Sequence, residues 1–438
     1  MSAIPGNVDT DAGPPMTVPL RHFVVALAFL VAGVAVGVAG GRGGHLAQVH
    51  LLLAGWVCLT IMGAMTQFVP VWSGVALHSR RLAAAQLPLA AVGFAGLAGG
   101  LLFGVTAVLP VAGVFAVAGV WTFVYTIGRT LADAEWDVTT AHFAAALGFF
   151  VLVTSAGVVL ALDHAVGVLP MVGVTRADLL SAHATLAVFG AVLTTVAGAL
   201  AQLAPMFTQT DATRVGGLLQ RAETVGYPLG VLLLAGGRLL GIPALARVGG
   251  VLVAGGLAVV GLLLARRLLA ASVERTPMLT RYAVVAVTLV VWAPLSAWAW
   301  WQDPIAYGSL FGHPAVGTLL LVGGVGFVVL GTLYHVVPFI VWVHRYSDRL
   351  GFEDVPMIDD LYDDRVALAD GACLGLATVA VLVAAIAPVP TGSSLLAGVL
   401  AFVGAALFAG NLLGVLVEHG PQSLPVLVGG RFVEESES

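Results

Sequence analysis

The chain contains no lysine: all 18 of its basic residues are arginine, and charged residues of both signs make up only 9% of its 438 residues. So little charge excludes a large solvated surface. A formal net charge of −5 also leaves no basic face for a nucleic acid, so no nucleic-acid partner is expected. Only two cysteines are present, Cys58 and Cys373. Both lie inside apolar runs, which excludes a disulfide framework or cysteine zinc site and leaves them as small buried hydrophobes. No row of acidic residues crosses an apolar run, which argues against a proton pump or ion-coupled transporter. No cleavable signal peptide is expected either. Residues 1–19 carry Pro, Gly and Asp, and the first basic residue, Arg21, opens a helix long enough to span.

What remains is apolar. Hydrophobic residues make up 59% of the chain, and its mean hydropathy is +1.03, values of an all-α polytopic membrane protein. Runs long enough to cross a bilayer begin near Leu20, Leu46, Leu82, Ala107, Thr139, Leu179, Ala222, Ala244, Tyr282, His313, Val366 and Ser393, predicting twelve transmembrane helices. The seventh is the most polar, with Arg221, Glu223, Tyr227 and Arg238. Residues 1–19 read as a flexible N-terminal segment, 20–421 as one transmembrane domain with an acidic loop at 345–370, and 422–438 as a tail. With the N-terminus inside, arginines divide 14 inner to 4 outer, Arg42, Arg176, Arg238 and Arg247 being the outer ones. That bias predicts cytoplasmic N- and C-termini in a multi-pass protein of the cell (plasma) membrane.

A pattern recurs along the chain. His50 is followed by Gly63, Gln67 and Pro70; His183 by Gly198, Gln202 and Pro205; His313 by Gly331, His335 and Pro338. The prolines lie 135 and 133 residues apart, a period that predicts three four-helix repeats in a pseudo-threefold arrangement, with a histidine entering the second, sixth and tenth helices from the outer face. An imidazole in hydrocarbon is costly unless paired or metal-bound, so His50, His183 and His313 are the candidate site. Two imidazoles from facing helices can fill both axial positions of a haem iron. The counts from histidine to repeat glycine, 13, 15 and 18 residues, correspond to roughly 20, 22 and 27 Å of helix. His50 and His183 therefore lie at nearly one depth, with His313 ~7 Å further out unless a bulge at Gly323-Gly324-Val325-Gly326 closes the gap.

These segments carry a family resemblance. Twelve helices in three groups of four, histidines on the second, sixth and tenth, and a proline closing each inner end are similar to the catalytic subunit of the haem-copper oxidase and nitric oxide reductase superfamily. His50-Leu51-Leu52-Leu53 with Trp56, Gly63-Ala64 and Val69-Pro70 resembles its low-spin haem helix, and Gly331 to Pro338 the end of its tenth helix. Pro70-Val71-Trp72-Ser73-Gly74 more specifically resembles the NnrS-like branch, haem- and copper-containing membrane proteins linked to nitric oxide tolerance. The resemblance implies His50 and His313 as axial ligands of haem b and His183 as a copper ligand. The departures are equally specific. The seventh helix has no histidine pair, His313-Pro314-Ala315 replaces His-x-His, and Ala187 stands where a redox tyrosine is expected.

The expectation is a haem-binding membrane protein acting in electron transfer or in handling a diatomic gas such as nitric oxide, and not in oxygen reduction. Its partners would be haem, membrane lipid and a redox partner or other membrane subunit; copper is the further cofactor implied. The alternative is a cofactor-free permease or assembly factor on the same frame. Of the remaining polar residues, His335 reads as packing or a hydrogen bond and His142 as a solvated cap. Gln67 and Gln202 read as hydrogen-bonding partners that fix inner helix ends. His22, His45, His78, His164, His344 and His419 sit in loops or at helix edges without an assigned role, and the acidic loop reads as solvated.

Overall fold

A computed structural model of the chain describes residues 14–41, 43–169, 173–388, 390, 392–420 and 422–429. Residues 1–13 of the N-terminal segment, 430–438 of the tail, and Arg42 and Arg431 from the orientation count lie outside the described residues. Within them there is no β-strand. The long helices are α1 (Thr17–Ala39), α2 (Gly44–Ser73), α3 (Arg80–Phe103), α4 (Thr106–Leu131), α5 (Val138–Val166), α6 (Arg176–Thr208), α7 (Arg214–Leu239), α8 (Pro243–Ala270), α9 (Pro277–Gln302), α10 (Gly317–Arg345), α11 (Asp364–Ile386) and α12 (Ser393–His419). All but α7 are long and apolar enough to cross a membrane, eleven candidate spans in an α-helical polytopic protein.

Hydrocarbon offers no partner to a backbone N–H or C=O, so helices that bond internally are the economical solution, and their ends must be capped. Ser79, Asp137, Thr213, Thr276 and Asp363 accept from backbone N–H groups at the starts of α3, α5, α7, α9 and α11. These five caps stand at the end of the bundle where α1 begins, here called the arginine-rich face, and Thr175 caps α6 from the opposite end. The 345–370 segment also lies there, and it is anchored as well as solvated. Ile358, Leu361 and Tyr362 are buried, and Trp342 Nε1 donates to Pro356 O at 2.7 Å.

Three helices form the centre. In α2, α6 and α10 the most apolar windows are 61%, 78% and 78% buried, against 22–50% for the other spans. These same helices widen into π-helical turns at His50–Cys58, Leu186–Val192 and Leu320–Gly326, the last covering the glycine run where the sequence allowed a bulge. Each packs on the preceding odd-numbered helix in one register. A Cβ added at Gly63 would lie 2.6 Å from His22 Cβ, at Gly198 2.7 Å from His142 Cβ, and at Gly331 3.2 Å from Arg281 Cβ. Eight residues earlier, Gly55, Gly190 and Gly323 lie equally close to Phe29, Phe149 and Thr288. The prolines do not close these helices: Pro70, Pro205 and Pro338 lie inside them, and α2, α6 and α10 run on to Ser73, Thr208 and Arg345.

α7 carries polar residues because they point inward. Glu223, Tyr227 and Arg238 are buried, while Val215, Leu218 and Val225 are about 70% exposed. Tyr227 Oη donates to Phe189 O at 2.7 Å, within the π-helical turn of α6.

Close backbone approach elsewhere depends on missing side chains. A Cβ at Gly93 of α3 would lie 2.3 Å from Ala116 N of α4, and one at Gly119 of α4 would lie 2.4 Å from Ala90 N of α3. Gly119→Leu is expected to cost ~1–3 kcal/mol by forcing the helices apart. Gly148→Leu, where an added Cβ meets nothing within 4 Å, should be neutral. Thermal unfolding in detergent reads the difference, and equal melting temperatures would refute the close α3/α4 contact.

Candidate functional site

Two of the three candidate histidines lie on the central helices themselves. His50 opens the π-helical turn of α2 and His183 lies three residues before that of α6. His50 Nδ1 is 2.8 Å from Leu46 O, one turn back in its own helix, and His183 Nδ1 is 3.0 Å from Val153 O of α5. A carbonyl oxygen only accepts, so each neutral ring carries its hydrogen on Nδ1 and its lone pair on Nε2. Neither Nε2 has a hydrogen-bond partner among the described residues. Gly157 of α5 provides the clearance, since a Cβ there would stand 3.2 Å from His183 Cε1.

His313 is placed differently. It lies in the turn before α10, which begins at Gly317 and not at His313, and its backbone N–H donates to Ser296 Oγ at 3.1 Å. The N–H of Ala315 donates to His313 Nδ1 at 3.2 Å, so a neutral ring holds its hydrogen on Nε2, the opposite tautomer to the other two. No hydrogen bond or ring contact joins it to His50 or His183 among the described residues; its ring neighbour is Trp298.

At the head of α6 stands a buried cation from α7, counted from the sequence among the outer arginines. Arg238 is 1% exposed. Its guanidinium donates to Thr185 Oγ1 at 2.7 Å, two residues beyond His183, and to the carbonyls of Pro304, Leu310 and Ser309 at 3.0–3.2 Å. It thereby fastens the α9–α10 connection, with His313 at its end, to the head of α6.

No family model and no curated protein matches this chain. The chemistry of the site therefore rests on its donor atoms. Imidazoles of one tautomer with open Nε2 atoms are donors of the kind that ligate a metal. Among the described residues no three His, Cys, Asp or Glu side chains are grouped to hold a metal ion, so His183 lacks the companions a copper centre needs. Cys58 and Cys373 are partly buried free thiols.

Towards the arginine-rich face, a second set of polar residues recurs that the sequence reading did not assign. His22, read as an edge residue, and His142, read as a solvated cap, are each 1% exposed. His22 Nδ1 lies 2.8 Å from Val18 O, and its Nε2 accepts from Gln86 Nε2 of α3 at 3.2 Å, which also donates to Thr66 Oγ1. His142 Nδ1 lies 2.8 Å from Val138 O, and its Nε2 meets Glu223 Oε1 of α7 at 3.1 Å. Arg281 bonds Pro277 O and forms a buried ion pair with Asp370 of α11. Tyr334 also donates to Asp370, and its ring lies under the Arg281 guanidinium. Each is a polar latch from an odd-numbered helix to the next odd one, and each basic residue sits against the repeat glycine of the central helix. The overlooked signal is a basic residue followed by an aromatic: His22-Phe23, His142-Phe143 and Arg281-Tyr282. Arg281, counted as a loop arginine, is 4% exposed in this latch.

The remaining expectations divide. His335 packs against Phe207 and Phe339, as anticipated. Gln67, expected to hydrogen-bond, has a buried Oε1 without a partner. Asp370→Ala should cost ~3–5 kcal/mol by leaving Arg281 buried without its counter-charge. An unchanged unfolding temperature for that variant would contradict the third latch.

Proposed function

We propose that this chain is a haem-binding integral membrane protein of twelve spans in three four-helix units, with His50 and His183 as the axial pair of a haem b. The observation that carries the reading is the matched imidazoles of α2 and α6, both with Nδ1 committed to a carbonyl and Nε2 open. The carbonyls of Leu46 and Val153 fix the tautomer and make each Nε2 a better donor to iron, while Gly157 leaves room for the His183 ring. This replaces the His50–His313 pairing that the resemblance implied. When bound, the haem supplies one-electron redox chemistry and, with one imidazole displaced, a position for a diatomic ligand such as nitric oxide. Its electrons would come from a redox partner or another membrane subunit. Oxygen reduction is not proposed, because α7 offers Glu223 and Tyr227 but no imidazole and Ala187 occupies the tyrosine position.

Twelve spans are supported by α7, which buries Glu223, Tyr227 and Arg238 and exposes Val215, Leu218, Val225, Leu229 and Leu232, its exposed arginines Arg214 and Arg221 lying near the arginine-rich end. The three units are supported by the shared packing register and the three latches. The arginine-rich face is proposed as cytoplasmic, in the plasma membrane.

Reduced-minus-oxidised visible spectra of protein purified with ample haem test the cofactor. Wild type and His313→Ala should show the sharp bands of six-coordinate haem b, and His50→Ala and His183→Ala should lose them. A wild type without haem would favour the cofactor-free permease. For orientation, a cysteine replacing Asp303 should react with an impermeant thiol reagent added outside, and one replacing Asp354 should not. The reverse pattern would invert the topology.

A further inference from the structure

The three latches occupy one position in the packing register but differ in the protons they hold. In the first, His22 Nδ1 faces a carbonyl and Nε2 faces an amide N–H donor, so the neutral ring is fully satisfied and a further proton has no place. In the third, arginine and aspartate form a permanent ion pair. The second is incomplete as a set of heavy atoms. His142 Nδ1 must carry hydrogen, because Val138 O can only accept. The remaining contact, Nε2 to Glu223 Oε1 at 3.1 Å, joins two atoms that are both acceptors unless one exchangeable proton lies between them.

That pair also has an outlet. Both side chains are nearly inaccessible, at 0% and 3%. Glu223, however, borders a cavity of about 40 Å³ that is also lined by Thr213, Gln220, Arg266 and Arg267 at the arginine-rich face. A space of that size, with five polar or charged side chains among its mainly apolar lining, has room for water. The α6 residues lining it, Ala197, Leu200, Ala201 and Ala204, are uncharged. The charged or titratable groups around the pair are Tyr227 on α7, Arg266 and Arg267 on α8, and Asp211 in the α6–α7 connection near Arg267.

We propose that His142 and Glu223 form a one-proton binding site that loads and unloads through this cavity from the arginine-rich face. A hydronium in the cavity gives its proton to the free carboxylate oxygen of Glu223 and leaves as water; rotation of the carboxyl or exchange between its oxygens then places the proton between Oε1 and Nε2. The pair passes from a net charge of −1 to 0, which a low-dielectric interior favours. No electron moves, and the site does not depend on haem.

Infrared difference spectra across the histidine and carboxylate titration range, taken on protein in lipid nanodiscs, read this directly. Wild type should show coupled carboxylate and imidazole changes above the background that the other histidines and carboxylates give in every variant. Glu223→Gln rebuilds the amide latch of the first unit, so it should fold and lose both sets of bands together, whereas His22→Gln should retain them. Glu223→Asp keeps a carboxylate and should also retain them. Persistence of the imidazole changes in Glu223→Gln, or their absence from wild type, would overturn the site. Ala201→Leu, which fills the cavity, should slow hydrogen–deuterium exchange of those bands at least tenfold, and an unchanged rate would overturn the route.

Discussion

A polar side chain carried into hydrocarbon is costly unless it finds a partner inside the bundle, and that constraint organises this protein. Lipid is as apolar as leucine, so burial of leucine against leucine does little to select one helix neighbour over another. A buried histidine, glutamate or arginine is selective, because only one arrangement satisfies it. The latches His22–Gln86, His142–Glu223 and Arg281–Asp370 each fix one odd-numbered helix to the next odd one. The repeat glycines Gly63, Gly198 and Gly331 then let the central helix close on the latch residue. With α2, α6 and α10 held in the middle, His50 and His183 stand at the other end of α2 and α6, each with its Nδ1 committed to a carbonyl.

The same constraint explains α7. Its hydropathy is too low for a candidate span, yet Glu223 meets His142, Tyr227 meets Phe189 O and Arg238 meets four oxygens, so most of its polarity is consumed within the bundle, Arg214 and Arg221 at its arginine-rich end being exposed. A helix can be polar in composition and apolar towards lipid when each polar group has a protein partner.

Helix positions were legible because long apolar runs and capping residues are local signals. The runs expected from Leu46, Leu82, Thr139 and Ser393 begin in the structure at Gly44, Arg80, Val138 and Ser393. The recurring histidine, glycine and proline spacing singled out α2, α6 and α10, and these are the three spans with the most buried apolar windows, though the sequence did not say that they would be central. Partnerships were not legible, because they join residues 64, 81 and 89 positions apart with no shared chemistry. His142 beside Asp137 looks like any helix start until Glu223 is brought against it. His313 held the place of His50 and His183 in the repeat, although the count set it ~7 Å further out; it lies before α10, where its Nδ1 accepts from the N–H of Ala315. Tautomer, and with it fitness as a ligand, depends on such contacts and is invisible to spacing.

The account separates two tasks along the bundle: a pair of open imidazoles towards one face and a single titratable latch towards the other, built from the same repeated geometry. Its central claim concerns the imidazoles. Electron paramagnetic resonance of the oxidised, haem-supplemented protein tests it most directly, because the spectrum of low-spin ferric iron depends on its axial ligands. The account predicts a low-spin signal characteristic of two imidazoles, converted to a high-spin signal or lost in His183→Ala and unchanged in His313→Ala. A wild type that shows only high-spin iron, or retention of the bis-imidazole signal in His183→Ala, would contradict it.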